Sequence, residues 1–136
     1  MSTTRLTGEW QLYFAGIEPG PEKLAPIPSF SATLAVAAAN RAGIEAKLKL
    51  AGEEVLVKGR IRPGTPSVIS LDECDNDGKQ VDDGVEAILY VPPWRPNIDY
   101  DFDILCGTAV IGANSGLTAS DNRERVLTVT GLQAFE

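Results

Sequence analysis

The chain has 136 residues, 43% of them hydrophobic and 23% charged, with a formal net charge of −7. That is the length of one domain, residues 1–136, able to bury a core without staples and too apolar for global disorder. An acidic surface repels phosphate backbones and anionic lipid, and no apolar run approaches the ~20 residues of a membrane helix, so neither nucleic acid nor membrane is an expected partner.

Residues 1–8, Met-Ser-Thr-Thr-Arg-Leu-Thr-Gly, hold no apolar signal core, and a cytoplasmic location is the expectation. A first strand is predicted over about 5–14, with Leu6, Gly8, Trp10, Leu12 and Phe14 on one face. Residues 15–28, rich in Gly and Pro, read as a loop. The second strand, 29–38, turns Phe30, Ala32, Leu34 and Val36 inward, although its alanines leave a short helix as the alternative. Asn40-Arg41-Ala42-Gly43 reads as a hairpin turn leading into a strand at 44–50, and Ala51-Gly52 reverses the chain into a strand at 53–62. Lys47, Lys49, Lys58, Arg60 and Arg62, interleaved with Glu45 and Glu54, then share one solvated face.

Pro63-Gly64-Thr65-Pro66 is a further turn before a short strand at 67–72. The acidic stretch 72–84 mimics the start of a calcium loop at Glu73, Asp75, Asp77 and Gly78. Gly84 stands where the bidentate glutamate should be, and no helices flank it, so a hairpin turning at Asp77-Gly78 is the reading and no metal is expected. A strand at 85–91 stops at Pro92-Pro93, where a stiff loop presents Trp94 and Arg95, residue types enriched at binding hot spots.

Residues 97–106 carry the clearest period of two. Ile98, Tyr100, Phe102, Ile104 and Cys106 alternate with Asp99, Asp101 and Asp103, and the apolar set is expected to face the core while the aspartates stay wet. Cys106 is then a small buried residue. Cys74 lies in the acidic stretch, which raises a thiol pKa, and is a poor nucleophile. With no signal segment both thiols are expected reduced. The strand runs on through 108–111, a loop occupies 112–124, and the last strand covers 126–134.

The fold class that follows is all-β: a single antiparallel barrel of about eight or nine short strands, with a sandwich as the alternative. Terminal strands that both alternate well can pair and close the barrel.

The chain has no histidine, which removes the commonest general base and the commonest transition-metal ligand. No glycine-rich phosphate loop, nucleophile elbow or zinc spacing is present, so no cofactor and no catalytic residue is assigned.

Gly8-Glu9-Trp10 on the first strand resembles the opening of the calycin superfamily, the lipocalins, fatty-acid-binding proteins and avidins. That resemblance implies an up-and-down barrel closed at one end by Trp10, with an arginine near the last strand, Arg125 or Arg123, packed over the indole. The lipocalin Thr-Asp-Tyr motif has no counterpart beyond the loose Ile98-Asp99-Tyr100, and no C-terminal helix follows the last strand.

The leading functional expectation is non-catalytic binding of a small hydrophobic or aromatic ligand in the barrel mouth, near Trp10, Tyr13, Tyr90, Trp94 and Arg95. One alternative is a cyclase- or isomerase-type enzyme acting on a hydrophobic intermediate, with Asp99, Asp101, Tyr100 or Glu9 as its acid or base. The other is a homo-oligomeric structural or lectin-like protein. A hollow barrel favours a carrier or an enzyme, and a filled one with an apolar patch favours assembly.

Overall fold

In the computed structural model of the chain, the described residues are 6–19, 24–40, 42–62, 64, 67–91, 102–117 and 126–134. Eight strands follow in order: β1 Gly8–Pro19, β2 Leu24–Asn40, β3 Gly43–Leu50, β4 Glu53–Arg62, β5 Ser67–Cys74, β6 Val85–Val91, β7 Phe102–Ile111 and β8 Val126–Ala134. Each pairs antiparallel with the next, and β8 pairs with β1, giving a closed up-and-down barrel. Closure gives every strand a partner on both sides over the body of the barrel and removes the exposed edges that an open sheet would present there.

The alternation read from the sequence builds the interior. Trp10, Leu12 and Phe14 of β1, Leu34 and Val36 of β2, Ile44, Ala46 and Leu48 of β3, and Val55 and Val57 of β4 are all buried. The alanine-rich β2 is a strand because tertiary pairing overrides helix propensity: it is hydrogen-bonded to β1 on one side and β3 on the other. The two-residue turn between β3 and β4 takes Ala51 and Gly52 to φ of 51° and 82°, the left-handed conformations that a tight hairpin of matching twist requires.

Three expectations need correcting. Residues 15–28 are not a loop: β1 runs on to Pro19 and β2 begins at Leu24, the two pairing from Gly16↔Ile27 to Pro19↔Leu24. This ribbon extends past the pairing of β2 with β3, which starts at Thr33, so the missing N–H groups of Pro26 and Pro28 leave no ladder bond unmade there.

The second correction concerns β7. Ile104 and Cys106 are exposed, while Leu105, Ala109 and Ile111 are buried. The inward set of this strand is therefore Leu105, Gly107, Ala109 and Ile111, with Ile104 and Cys106 of the opposite phase on the outside. Gly107 shows why: a Cβ there would stand 2.0 Å from the carbonyl oxygen of Ile88, so at this position β7 comes too close to β6 for any side chain. Residues 97–101 lie outside the described residues, Asp99, Tyr100 and Asp101 among them, and the side chains of Phe102 and Asp103 lie outside the description.

Third, the stretch 72–84 is only partly a loop. Asp72, Glu73 and Cys74 belong to β5, with Glu73 and Cys74 buried. The turn itself falls where expected. Gly78 N–H donates to Asp75 O and Asp75 N–H to Lys79 O, with Gly78 at φ 81°.

Both ends of the interior are sealed. At one end Trp10 is 1% exposed, and its indole Nε1–H donates to the carbonyl of buried Leu6 at 2.9 Å. At the other, Leu117 is fully buried in the segment that follows β7. Between them the buried side chains of all eight strands pack against one another. Two voids lined by described residues, one between Leu12, Phe14, Leu48, Val57 and Val129 and one beside Trp10, offer about 20 and 10 Å³. That is room for a water molecule or two, against the ~300–1,000 Å³ of a ligand pocket.

Candidate functional site: the outer wall of the barrel

Of the five residues expected to line one mouth, three are described, and these three are not brought together. Trp10 is inside, sealing one end. Tyr13 and Tyr90 point outward, 48% and 41% exposed. Trp94 and Arg95 lie outside the described residues, as do Arg123 and Arg125. The strand end those arginines precede, Val126, is remote from the indole. Gln11 pairs with Leu132, six residues further along β8, or ~20 Å at strand rise.

Tyr13 and Tyr90 are nevertheless on one row. Tyr13 pairs with Thr130, Thr130 with Cys106, and Cys106 with Tyr90, so the row crosses β1, β8, β7 and β6 on the outside of the barrel. A parallel row joins Ala15, Thr128, Thr108 and Ile88. Ile104 stands opposite Leu132 and Val126 opposite Val110. The described large apolar residues that are strongly exposed, Tyr13, Ile88, Tyr90, Ile104 and Val126, all belong to these four adjacent strands. Alternation alone accounts for the placement: with Leu89, Leu105, Leu127 and Phe14 turned inward, their neighbours must face out.

No charged side chain stands on those two rows, and Glu9 and Glu86 lie beyond them toward the two ends. The opposite wall is built differently. Glu45, Lys47 and Lys49 of β3 and Glu54, Lys58, Arg60 and Arg62 of β4 alternate outward. Ion pairs of 3.6 Å join Lys47 and Lys49 to Glu54, and one of 3.8 Å joins Lys58 to Glu45. These are exposed pairs worth little individually, and they form the solvated face expected from the sequence. The barrel is thus two-sided, with one charged wall and one whose two central rows, of Tyr, Ile, Ala, Thr and Cys, are neutral, Glu86 standing on the next row with Val110 and Val126.

A second cluster, missed from the sequence, closes the end remote from Trp10. Glu73 is 3% exposed, and its carboxylate accepts three hydrogen bonds: Val85 N–H at 3.0 Å, Ser115 Oγ–H at 2.6 Å and Gly116 N–H at 2.8 Å. Ser115 Oγ in turn accepts from Leu117 N–H at 3.1 Å. Asp83, at φ 60°, holds the same segment through Asn114 N–H to its carbonyl and Ala113 N–H to its carboxylate. The signal was present in the chain, since Glu73 continues the inward phase of Ile69 and Leu71. A carboxylate so fully engaged with donors is a structural clamp that fixes residues 112–117 over the barrel end. It is turned away from exposed Asp75 and Asp77. Asp75 spends one carboxylate oxygen on the backbone N–H groups of Asp77 and Lys79. Among the described residues no three acidic or thiol groups converge as a metal site.

The two cysteines occupy opposite settings. Cys106 is exposed in the middle of the neutral wall, so the expectation of a buried Cys106 is overturned: it shares the outward phase of Ile104. Cys74 is buried, and burial pushes its thiol pKa up, with Asp72 and Asp75 adding to the rise and Lys58 opposing it. Both are free thiols.

No protein family matches the chain, and no curated protein or solved structure matches it at a significant level.

Proposed function

We propose that this chain is a non-catalytic binding and assembly module that works through its outer wall. The observation that carries the reading is the confinement of the strongly exposed large apolar residues to the outside of β1, β6, β7 and β8. Exposed large apolar residues gathered on one side of a barrel favour a contact surface there, whereas residues scattered around it would not. The described interior supports the same reading, because voids of about 20 and 10 Å³ hold no hydrophobic ligand or substrate. An enzyme of the cyclase type needs a cavity to fold its substrate in and a carboxylate facing that cavity. Glu73, the buried carboxylate among the described residues, is committed to three donors in the barrel end.

Resemblance to the calycins fits within this proposal as a matter of architecture. An up-and-down barrel with a buried tryptophan on its first strand is what that resemblance implies, and the two small voids among the described residues lend no support to the small-molecule carrier role.

Native mass spectrometry of the protein purified from its own host tests the proposal. The expected spectrum shows no retained small molecule and a mass above that of one chain. A single-chain mass carrying a stoichiometric hydrophobic compound would refute it in favour of the carrier.

A further inference from the structure

Resting on the reading of the neutral wall as a contact surface, we infer that its occupant is a second copy of this chain, the two barrels meeting wall to wall about a twofold axis near Cys106 and Thr130. Three observations point to a copy.

The first is charge. In a twofold contact the same patch meets itself, so any net charge on it meets its like. At a net charge of −7 this is a strong constraint. The wall of β3 and β4 fails it, with five basic side chains against two acidic ones. The rows Tyr13–Thr130–Cys106–Tyr90 and Ala15–Thr128–Thr108–Ile88 meet it, because they carry no charge at all. The Thr128 hydroxyl donates to the Ala15 carbonyl at 3.1 Å and keeps acceptor capacity, while hydroxyls such as those of Thr108 and Thr130 are able to donate or accept across an axis.

The second is area. At ~200 Å² for a fully exposed large side chain, the exposed fractions of Tyr13, Ile88, Tyr90, Ile104 and Val126 come to about 500 Å². With the threonines and Cys106, the outer faces of these four strands expose at most roughly 700 Å², a little below the ~800 Å² per partner of a standard stable interface.

Composition is the third. Tyr13 and Tyr90, of a residue type enriched at interfaces, flank the central Thr130 and Cys106, and charges stand only beyond the rows, toward the rim.

Sedimentation equilibrium reads the mass directly. At about 100 µM, above the micromolar dissociation constants that interfaces of this size reach at their weakest, the expected mass is that of two chains. Thr130→Arg and Tyr90→Arg, each placing one charge per copy near the axis, should return the single-chain mass. Lys58→Glu on the far wall should leave the dimer intact. Circular dichroism with a cooperative urea transition establishes that each variant is folded. As an independent readout, the initial rate of maleimide attack on Cys106 should fall several-fold between dilute and concentrated protein. A single-chain mass at every concentration, or a dimer indifferent to both Thr130→Arg and Tyr90→Arg, overturns the inference. If the chain is monomeric yet retains a host protein that Thr130→Arg releases, the contact-surface reading stands and the copy does not. A monomer that retains nothing through this wall removes both.

Discussion

Removing the Glu73 carboxylate should unfasten one end of the barrel. In Glu73→Ala, the N–H groups of Val85 and Gly116 and the hydroxyl of Ser115 lose their acceptor at once. A hydrogen bond to a charged group is worth ~1.5–3 kcal/mol, and a buried donor left unpaired costs ~1–3 kcal/mol. Gly116 lies where water can replace part of its loss, since it is exposed, whereas Val85 is buried. The expected destabilisation is therefore about 3–4 kcal/mol, toward the high end for a single substitution. Glu73→Gln keeps the volume but sets an NH₂ group against a donor, and should cost about 2–3 kcal/mol by the same accounting. Urea titration followed by tryptophan fluorescence measures both, provided the slope with denaturant is unchanged. Amide exchange adds location: Gly116 and Leu117 should lose protection before the strands do. A loss below ~1 kcal/mol for Glu73→Ala would mean that residues 112–117 are held by their own packing and that the carboxylate is dispensable.

Trp10→Ala should cost ~3–5 kcal/mol in a denaturant titration, because the indole is buried and hydrogen-bonded to Leu6, while a loss under ~1 kcal/mol would deny it the role of plug. Ala51→Asn should raise stability by ~0.5–1 kcal/mol, since φ of 51° burdens alanine and suits asparagine; a drop in the urea midpoint would count against the turn geometry. Cys74 should stay unmodified by a maleimide at pH 8 until urea is added, since burial shields the thiol and raises its pKa, so that less thiolate is present than in a free cysteine. Fast labelling at Cys74 in the native state, located by peptide mass mapping, would contradict that burial.

Period-two patterning, turn chemistry and the pairing of the terminal strands are local or additive properties, and they were legible in the chain. Trp10, Leu12 and Phe14 face inward as their alternation required, Ala51-Gly52 turns, and β1 meets β8. Alternation has a period but no sign, however. In β7 both phases are largely apolar at the end that matters, Ile104 and Cys106 on one and Leu105 with Gly107 on the other. Only the neighbouring strands decide which is inside. The close approach of the Ile88 carbonyl admits nothing but glycine at 107, so that phase turns in and Ile104 and Cys106 turn out. The same holds for Glu73. Its inward phase was readable, but its donors lie 12 to 43 residues away and are found only when β6 and the segment after β7 arrive. The neutral wall is likewise a product of closure. Tyr13 and Tyr90 are 77 positions apart in the chain, and they share a row because a closed barrel sets its first strand beside its last.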